Sequence, residues 1–84
     1  MKLVSTDQNG EDWEICWGVL DEEATLRNEF GISGPFKARP EHATFQDPIY
    51  KRETKSLRVY ESTDGTIVAM SEITPSIYAA GVKK

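Results

Sequence analysis

The chain holds one cysteine, one histidine and no apolar run long enough to cross a membrane. A lone thiol, Cys16, excludes an internal disulfide and every zinc pattern built on paired thiolates. Its neighbours Ile15 and Trp17 predict a half-buried strand thiol, not a reactive nucleophile. A lone imidazole, His42, leaves histidine-base catalysis resting on one residue. Glu41 precedes it, but adjacency in a loop does not supply the base-to-orienter contact that a triad needs. A Gly-rich phosphate loop, a paired Cys/His ligand set and a nucleophile elbow are all missing. Carboxylate pairs for glycoside hydrolysis are no more than any acidic chain supplies. Residues 7–12 alternate acidic and amide oxygens, yet the glycine and the bidentate glutamate that an EF-hand needs at its sixth and twelfth positions are here Asp12 and Gly18. These gaps predict a non-enzyme with no cofactor and no metal. The start of the chain has no apolar run of signal-peptide length, and a span needs about 18 such residues, so a cytoplasmic protein is expected.

What the chain does have is an uneven distribution of charge. Among the first thirty residues eight carboxylates (Asp7, Glu11, Asp12, Glu14, Asp21, Glu22, Glu23, Glu29) face only Lys2 and Arg27, a formal −6. The remainder sets eight cations against six carboxylates, a formal +2. An acidic segment of this kind steers a basic partner toward it. Nucleic acid is excluded as a direct partner by a net charge of −4 and a pI near 4.9, which repel phosphate. The central cations Lys37, Arg39, Lys51, Arg52, Lys55 and Arg58 do alternate with Phe36, Phe45, Tyr50 and Tyr60, the composition of a single-strand platform. Nothing in the sequence sets them on one face.

At 84 residues, 38% of them hydrophobic, the chain has material for one small domain spanning 1–84. Its stability should be modest, about 3–5 kcal/mol. Asn9-Gly10 predicts a two-residue hairpin turn that sets Thr6 against Trp13 and Val4 against Ile15. Val4, Trp13, Ile15 and Trp17 would then form a core face, and Asp7 would oppose Asp12 at a cost unless the loop is wider or a cation sits there. Residues 21–31 read as a short acidic helix capped by Asp21 and stopped by Gly31, with Val19, Leu26 and Phe30 on its packed side. Residues 31–55 carry Pro35, Pro40 and Pro48, which predict an extended binding loop or short edge strands near 36–39 and 43–46. A second hairpin over 56–73 turns at Asp64-Gly65, with Leu57, Val59, Val68 and Met70 on one face and Tyr60, Ile67 and Ala69 on the other. Apolar residues on both faces imply cover on both, or one face kept for a partner. After Thr74-Pro75 a final helical turn over 76–80 is stopped by Gly81, and Lys83 and Lys84 fray.

The predicted fold is α+β: two antiparallel β-hairpins in one twisted sheet or half-open barrel with one short acidic helix, ordered β-β-α-(β)-β-β. The leading functional expectation is a protein-binding module, of the kind used by small phage or plasmid inhibitors. Asp12, Trp13, Glu14, Asp21, Glu22, Glu23 and Glu29 would dock on a basic surface of a partner that itself binds nucleic acid. Exposed Trp13, Phe36 and Tyr50 would supply anchors. One alternative is a homodimer that binds an anionic or nucleotide-like ligand through Arg39, His42, Tyr50 and Arg52. Another is a structural subunit that lends an edge strand to a neighbour.

Overall fold

A computed structural model describes residues 2–46, 54–72 and 78–84. They form six strands, β1 (Lys2–Thr6), β2 (Asp12–Trp17), β3 (Lys37–Gln46), β4 (Thr54–Glu61), β5 (Ile67–Ser71) and β6 (Ala79–Lys83). A short helix, α1 (Glu22–Thr25), continues into a wider π-helical turn over Leu26–Phe30. The strands make one antiparallel sheet in the order β1-β2-β6-β5-β4-β3, and the sheet does not close into a barrel. The α+β class therefore holds.

Both hairpin turns are one residue wider than the two-residue type expected, and for the same reason. In the first, the Asp7 N–H donates to Glu11 O at 2.8 Å and the Gly10 N–H to Asp7 O at 3.1 Å. In the second, the Ser62 N–H donates to Thr66 O at 2.9 Å and the Gly65 N–H to Ser62 O at 3.1 Å. Each is a type I turn followed by a left-handed glycine, with φ of 79° at Gly10 and 88° at Gly65. Asp and Ser suit the first position of such a turn because their side chains bond the backbone two residues on. Asp7 Oδ1 accepts from the N–H of Asn9 and Glu11 at 2.8 and 3.0 Å. Ser62 Oγ donates to Asp64, which also accepts from the Thr66 N–H, and the Asp64 carboxyl is held down at about 2.

A one-residue change of register exchanges the faces of a strand. Thr6 lies opposite Asp12 and Leu3 opposite Ile15, so Val4 leaves the core and is 56% exposed. The Asp7–Asp12 opposition does not arise; Thr6 Oγ1 donates to Asp12 Oδ1 at 2.8 Å instead. In the second hairpin Val59 pairs with Ala69, and Tyr60 with Val68. Leu57 and Val59 thus share a face with Ala69 and Ile67, while Tyr60 joins Val68 and Met70, the reverse of the expected division.

The chain after Tyr78 is a strand and not a helical turn; residues 76 and 77 of the expected turn lie outside the described residues. β6 fills the gap between the two hairpins, pairing with β2 on one side and β5 on the other. Gly81 does not stop a helix here. A Cβ on it would sit 2.2 Å from Glu14 O and 2.7 Å from Ile15 Cα, so only hydrogen lets β6 approach β2 this closely. Lys83 and Lys84 do not fray: Lys83 pairs with Trp13, and the Lys84 N–H donates to Asp12 O at 3.0 Å.

Each face of the sheet carries a core. On one, Trp13, Ile15, Trp17, Phe45, Leu57 and Val59 pack together through a curl of the sheet, and no helix among the described residues covers that side. Phe45 of β3 meets Trp13 and Trp17 of β2 edge-on at centroid distances of 6.0 and 6.1 Å, across the three intervening strands. Gln8 ties the curl: its Nε2 donates to His42 O at 2.8 Å and its Oε1 accepts from the Thr44 N–H at 2.7 Å. On the other face Leu26, Val68, Met70 and Ala80 are buried, with Phe30, Ile32, Phe36, Tyr60 and Val82 packed around them. The acidic helix lies here as expected, with the Ala24 N–H donating to Asp21 Oδ1 at 3.0 Å and Gly31 ending it at φ 70°.

Candidate functional site

Leu26 is the helix's fully buried anchor, and its docking on the sheet fixes where the acidic residues stand. Asp21, Glu22 and Glu23 sit at the helix start, beside the β5 end of the sheet, and Glu29 sits near its other end, next to Cys16. Asp12 and Glu14 alternate with Cys16 on β2 and so share its helix-facing side. The Cys16 thiol is pushed up by burial and further by the charges of Glu29 and Glu14, which makes it a poor nucleophile. Asp12, Asp21, Glu23 and Glu29 are exposed; Glu14 and Glu22 are half-buried.

Among the described residues the carboxylates divide sharply by partner. Glu11 pairs with Lys83, Glu41 and Glu61 with Arg39, and Glu72 with His42. Asp7 is consumed inside its turn, where Oδ2 also accepts from Trp13 Nε1 at 2.9 Å and the bonds to Trp13, Glu11 and Asn9 outweigh burial to hold its carboxyl low. Asp12, Glu14, Asp21, Glu22, Glu23 and Glu29 make no ion pair among the described residues, although the Lys55 charge acts on Glu22. Of the two cations in this third of the chain, Lys2 lies over the Phe30 ring at 5.2 Å and Arg27 is exposed.

Trp13 belongs to a different environment from the carboxylates grouped with it in sequence. It is 2% exposed, on the curled face of the sheet, and cannot anchor a partner without unfolding β2. Phe36 is half-buried against the helix-side core, and Tyr50 lies outside the described residues.

Of the predicted anion-binding set, Arg39 and His42 belong to the described residues. Tyr50 and Arg52 lie outside the described residues. Arg39 donates through Nε and Nη2 to Glu41 at 3.0 and 3.1 Å and through Nη1 to Glu61 at 3.1 Å, so every guanidinium nitrogen already meets a carboxylate. His42 Nε2 lies 2.7 Å from Glu72 Oε1. Arg39 and His42 do border one cleft of about 180 Å³, which Lys83 and the carboxylates Asp7, Glu11 and Glu41 also line.

A larger groove of about 800 Å³ runs between the helix start and β4–β5. Asp21, Glu22 and Glu23 form one wall; Phe36, Tyr60 and Met70 line the apolar side, and none of the described residues that line it is a cation. At its lip Leu20 is wholly exposed. Burial pushes the Glu22 carboxyl up, the charges of Asp21 and Glu23 add to this, and an N–H donated by the Ser71 backbone and the charge of Lys55 oppose it. The groove continues past Tyr60 and Ser71 into a second hollow bordered by Ala38, Arg58 and Glu72. Sequence reasoning missed Tyr60, Met70 and Arg58 as site residues. The available signal was the apolar content on both faces of the second hairpin, which left one face without an assigned cover.

Among the described residues no group of three or more His, Cys, Asp or Glu side chains is placed to hold a metal ion, and no helix is long and apolar enough to cross a membrane. Comparison with family models, curated proteins and solved structures finds no match to this chain.

Proposed function

We propose that this chain is a non-catalytic protein-binding module whose acidic first third docks on a basic surface of a partner protein. One observation carries the reading: six carboxylates, Asp12, Glu14, Asp21, Glu22, Glu23 and Glu29, stand on the helix side with no ion pair among the described residues, while Glu11, Glu41, Glu61 and Glu72 are each paired. Uncompensated like charge costs stability, and its general use is to speed encounter with a surface of opposite sign. A protein that binds nucleic acid offers such a surface, and occupying it would inhibit that protein as small phage-type inhibitors do. Trp13 drops out as an anchor, and Leu20, Phe36 and Tyr60 take its place beside the carboxylates.

The test compares wild type with an Asp12→Lys/Glu29→Lys variant as baits in a lysate at low and raised salt. Both positions are exposed and border neither groove. A basic protein held by wild type at low salt, released as screening rises and lost from the variant is the expected result. Retention indifferent to both salt and variant, or no retention at all, would sink the reading.

A further inference from the structure

The two hairpin turns share one backbone geometry and differ in how one side chain is held. Each ends in a left-handed glycine whose nitrogen makes one hydrogen bond, Gly10 N–H to Asp7 O at 3.1 Å and Gly65 N–H to Ser62 O at 3.1 Å. The residue before each glycine, Asn9 or Asp64, carries a side-chain carbonyl carbon that can close a five-membered ring onto the glycine nitrogen, and glycine has no Cβ to obstruct the approach. Asp64 is clamped against this. It accepts from the Ser62 hydroxyl and from the Thr66 N–H at 3.0 Å, and these bonds keep it ionised, with its carboxyl at about 2. A carboxylate is a poor electrophile and loses water to a ring only after protonation. In the first turn the clamping carboxylate is Asp7, which bonds the N–H groups of Asn9 and Glu11 and leaves the Asn9 side chain out. Asn9 is exposed, and its side-chain amide makes no hydrogen bond among the described residues. The other asparagine, Asn28, precedes Glu29 inside the π-helical turn, where a Cβ stands beside the nitrogen.

We propose that Asn9 is a spontaneous modification site: in the folded chain it deamidates through a cyclic imide with Gly10, and the isoaspartyl product releases Gln8 from β3. When the Gly10 N–H leaves Asp7 O, an opening of the kind that turn tips undergo, the nitrogen gives its proton to hydroxide and attacks Cγ of Asn9. The N–Cγ bond forms, the Cγ–Nδ2 bond breaks and ammonia departs. Water then opens the imide at either carbonyl, leaving an aspartate or an isoaspartyl link in which the main chain runs through Cβ and Cγ. That link lengthens the backbone between Gln8 and Gly10, in a turn whose width is set by the Asp7 N–H to Glu11 O and Gly10 N–H to Asp7 O bonds. Gln8 then loses its place against β3, where it bonds His42 O at 2.8 Å and the Thr44 N–H at 2.7 Å. Ageing at one exposed residue thereby loosens the curl of the sheet.

The test holds the full chain at mildly alkaline pH, folded in buffer or unfolded in guanidinium chloride. Each site is followed by intact mass, peptide mapping and isoaspartyl methyltransferase labelling. In the folded chain a mass gain of about 1 Da is expected at Asn9, at a rate proportional to hydroxide, with Asn28 and Asp64 unchanged over the same time. Unfolding should speed isomerisation of Asp64 about tenfold more than deamidation of Asn9, because only Asp64 loses a clamp. In the aged protein, protection of the Thr44 amide from hydrogen exchange should fall about tenfold in the isoaspartyl fraction. An Asn9→Asp variant, which adds the charge without lengthening the backbone, should keep the wild-type protection. Deamidation first at Asn28, an intact Asn9 in the folded chain after the unfolded chain has converted, equal acceleration of both sites on unfolding, or unchanged Thr44 protection in the isoaspartyl fraction would overturn the proposal.

Discussion

At the scale of single residues, Gly81 is the position where the fold tolerates least. A methyl group there would meet backbone atoms of Glu14 and Ile15, which cannot move aside without separating β6 from β2. Gly81→Ala should therefore destabilise by about 1–3 kcal/mol or more, a large share of what a chain of this size possesses. Urea unfolding followed by tryptophan fluorescence measures it, and a midpoint equal to wild type would show that the strands can part locally at no cost. In sequence, Gly81 after Ala79-Ala80 is equally good as a helix stop, because close approach between strands distant in the chain leaves no local mark. Asp21 and Gly31 were legible for the opposite reason: a cap and a left-handed stop are contacts between near neighbours.

Elements show where local signals run short. Asn9-Gly10 and Asp64-Gly65 locate both turns, but a glycine in the left-handed region serves two-residue and three-residue loops alike. Asp7 and Ser62, three residues before the glycines, were the discriminating signal, since they favour the first position of a type I turn. The single residue of difference moved Val4 out of the core and put Tyr60 on the groove side, so the candidate site was hidden by the register alone. Pro40 does not divide its segment: where at most short strands near 36–39 and 43–46 or a binding loop are expected stands one ten-residue edge strand, β3, and the proline falls where its register with β4 shifts, between Ala38 and His42. The curl that brings β3 toward the β1–β2 turn hangs on the Gln8 amide. Gln8→Ala removes two hydrogen bonds and should cost about 1–2 kcal/mol. Hydrogen exchange at the Thr44 amide checks the mechanism: its protection should drop well before that of the central β5 amides, and unchanged protection would mean that Gln8 is not the tie.

For the molecule as a whole, charge is the property that the sequence displayed most directly, because composition survives any error of register. Folding adds the observation on which the proposed function rests: it pairs off Glu11, Glu41, Glu61 and Glu72 and leaves six carboxylates of the first third on the helix side with no ion pair among the described residues. Their mutual repulsion should fall as ions screen it, so moderate added sodium chloride is expected to raise the urea midpoint. A midpoint that falls with salt would mean that the four native ion pairs outweigh the repulsion. β6 has a consequence of another kind. Among the described residues it is the last of six strands in sequence yet lies third in the sheet, and it alone joins the β1–β2 hairpin to the β3–β4–β5 meander by backbone pairing. On the ribosome these two pieces emerge with raw edges at β2 and β5, which stay unsatisfied until residues 79–83 clear the exit tunnel. A chain in which β6 has not yet emerged is therefore open to mispairing at these edges, and a chaperone that shields strand edges would act on it there.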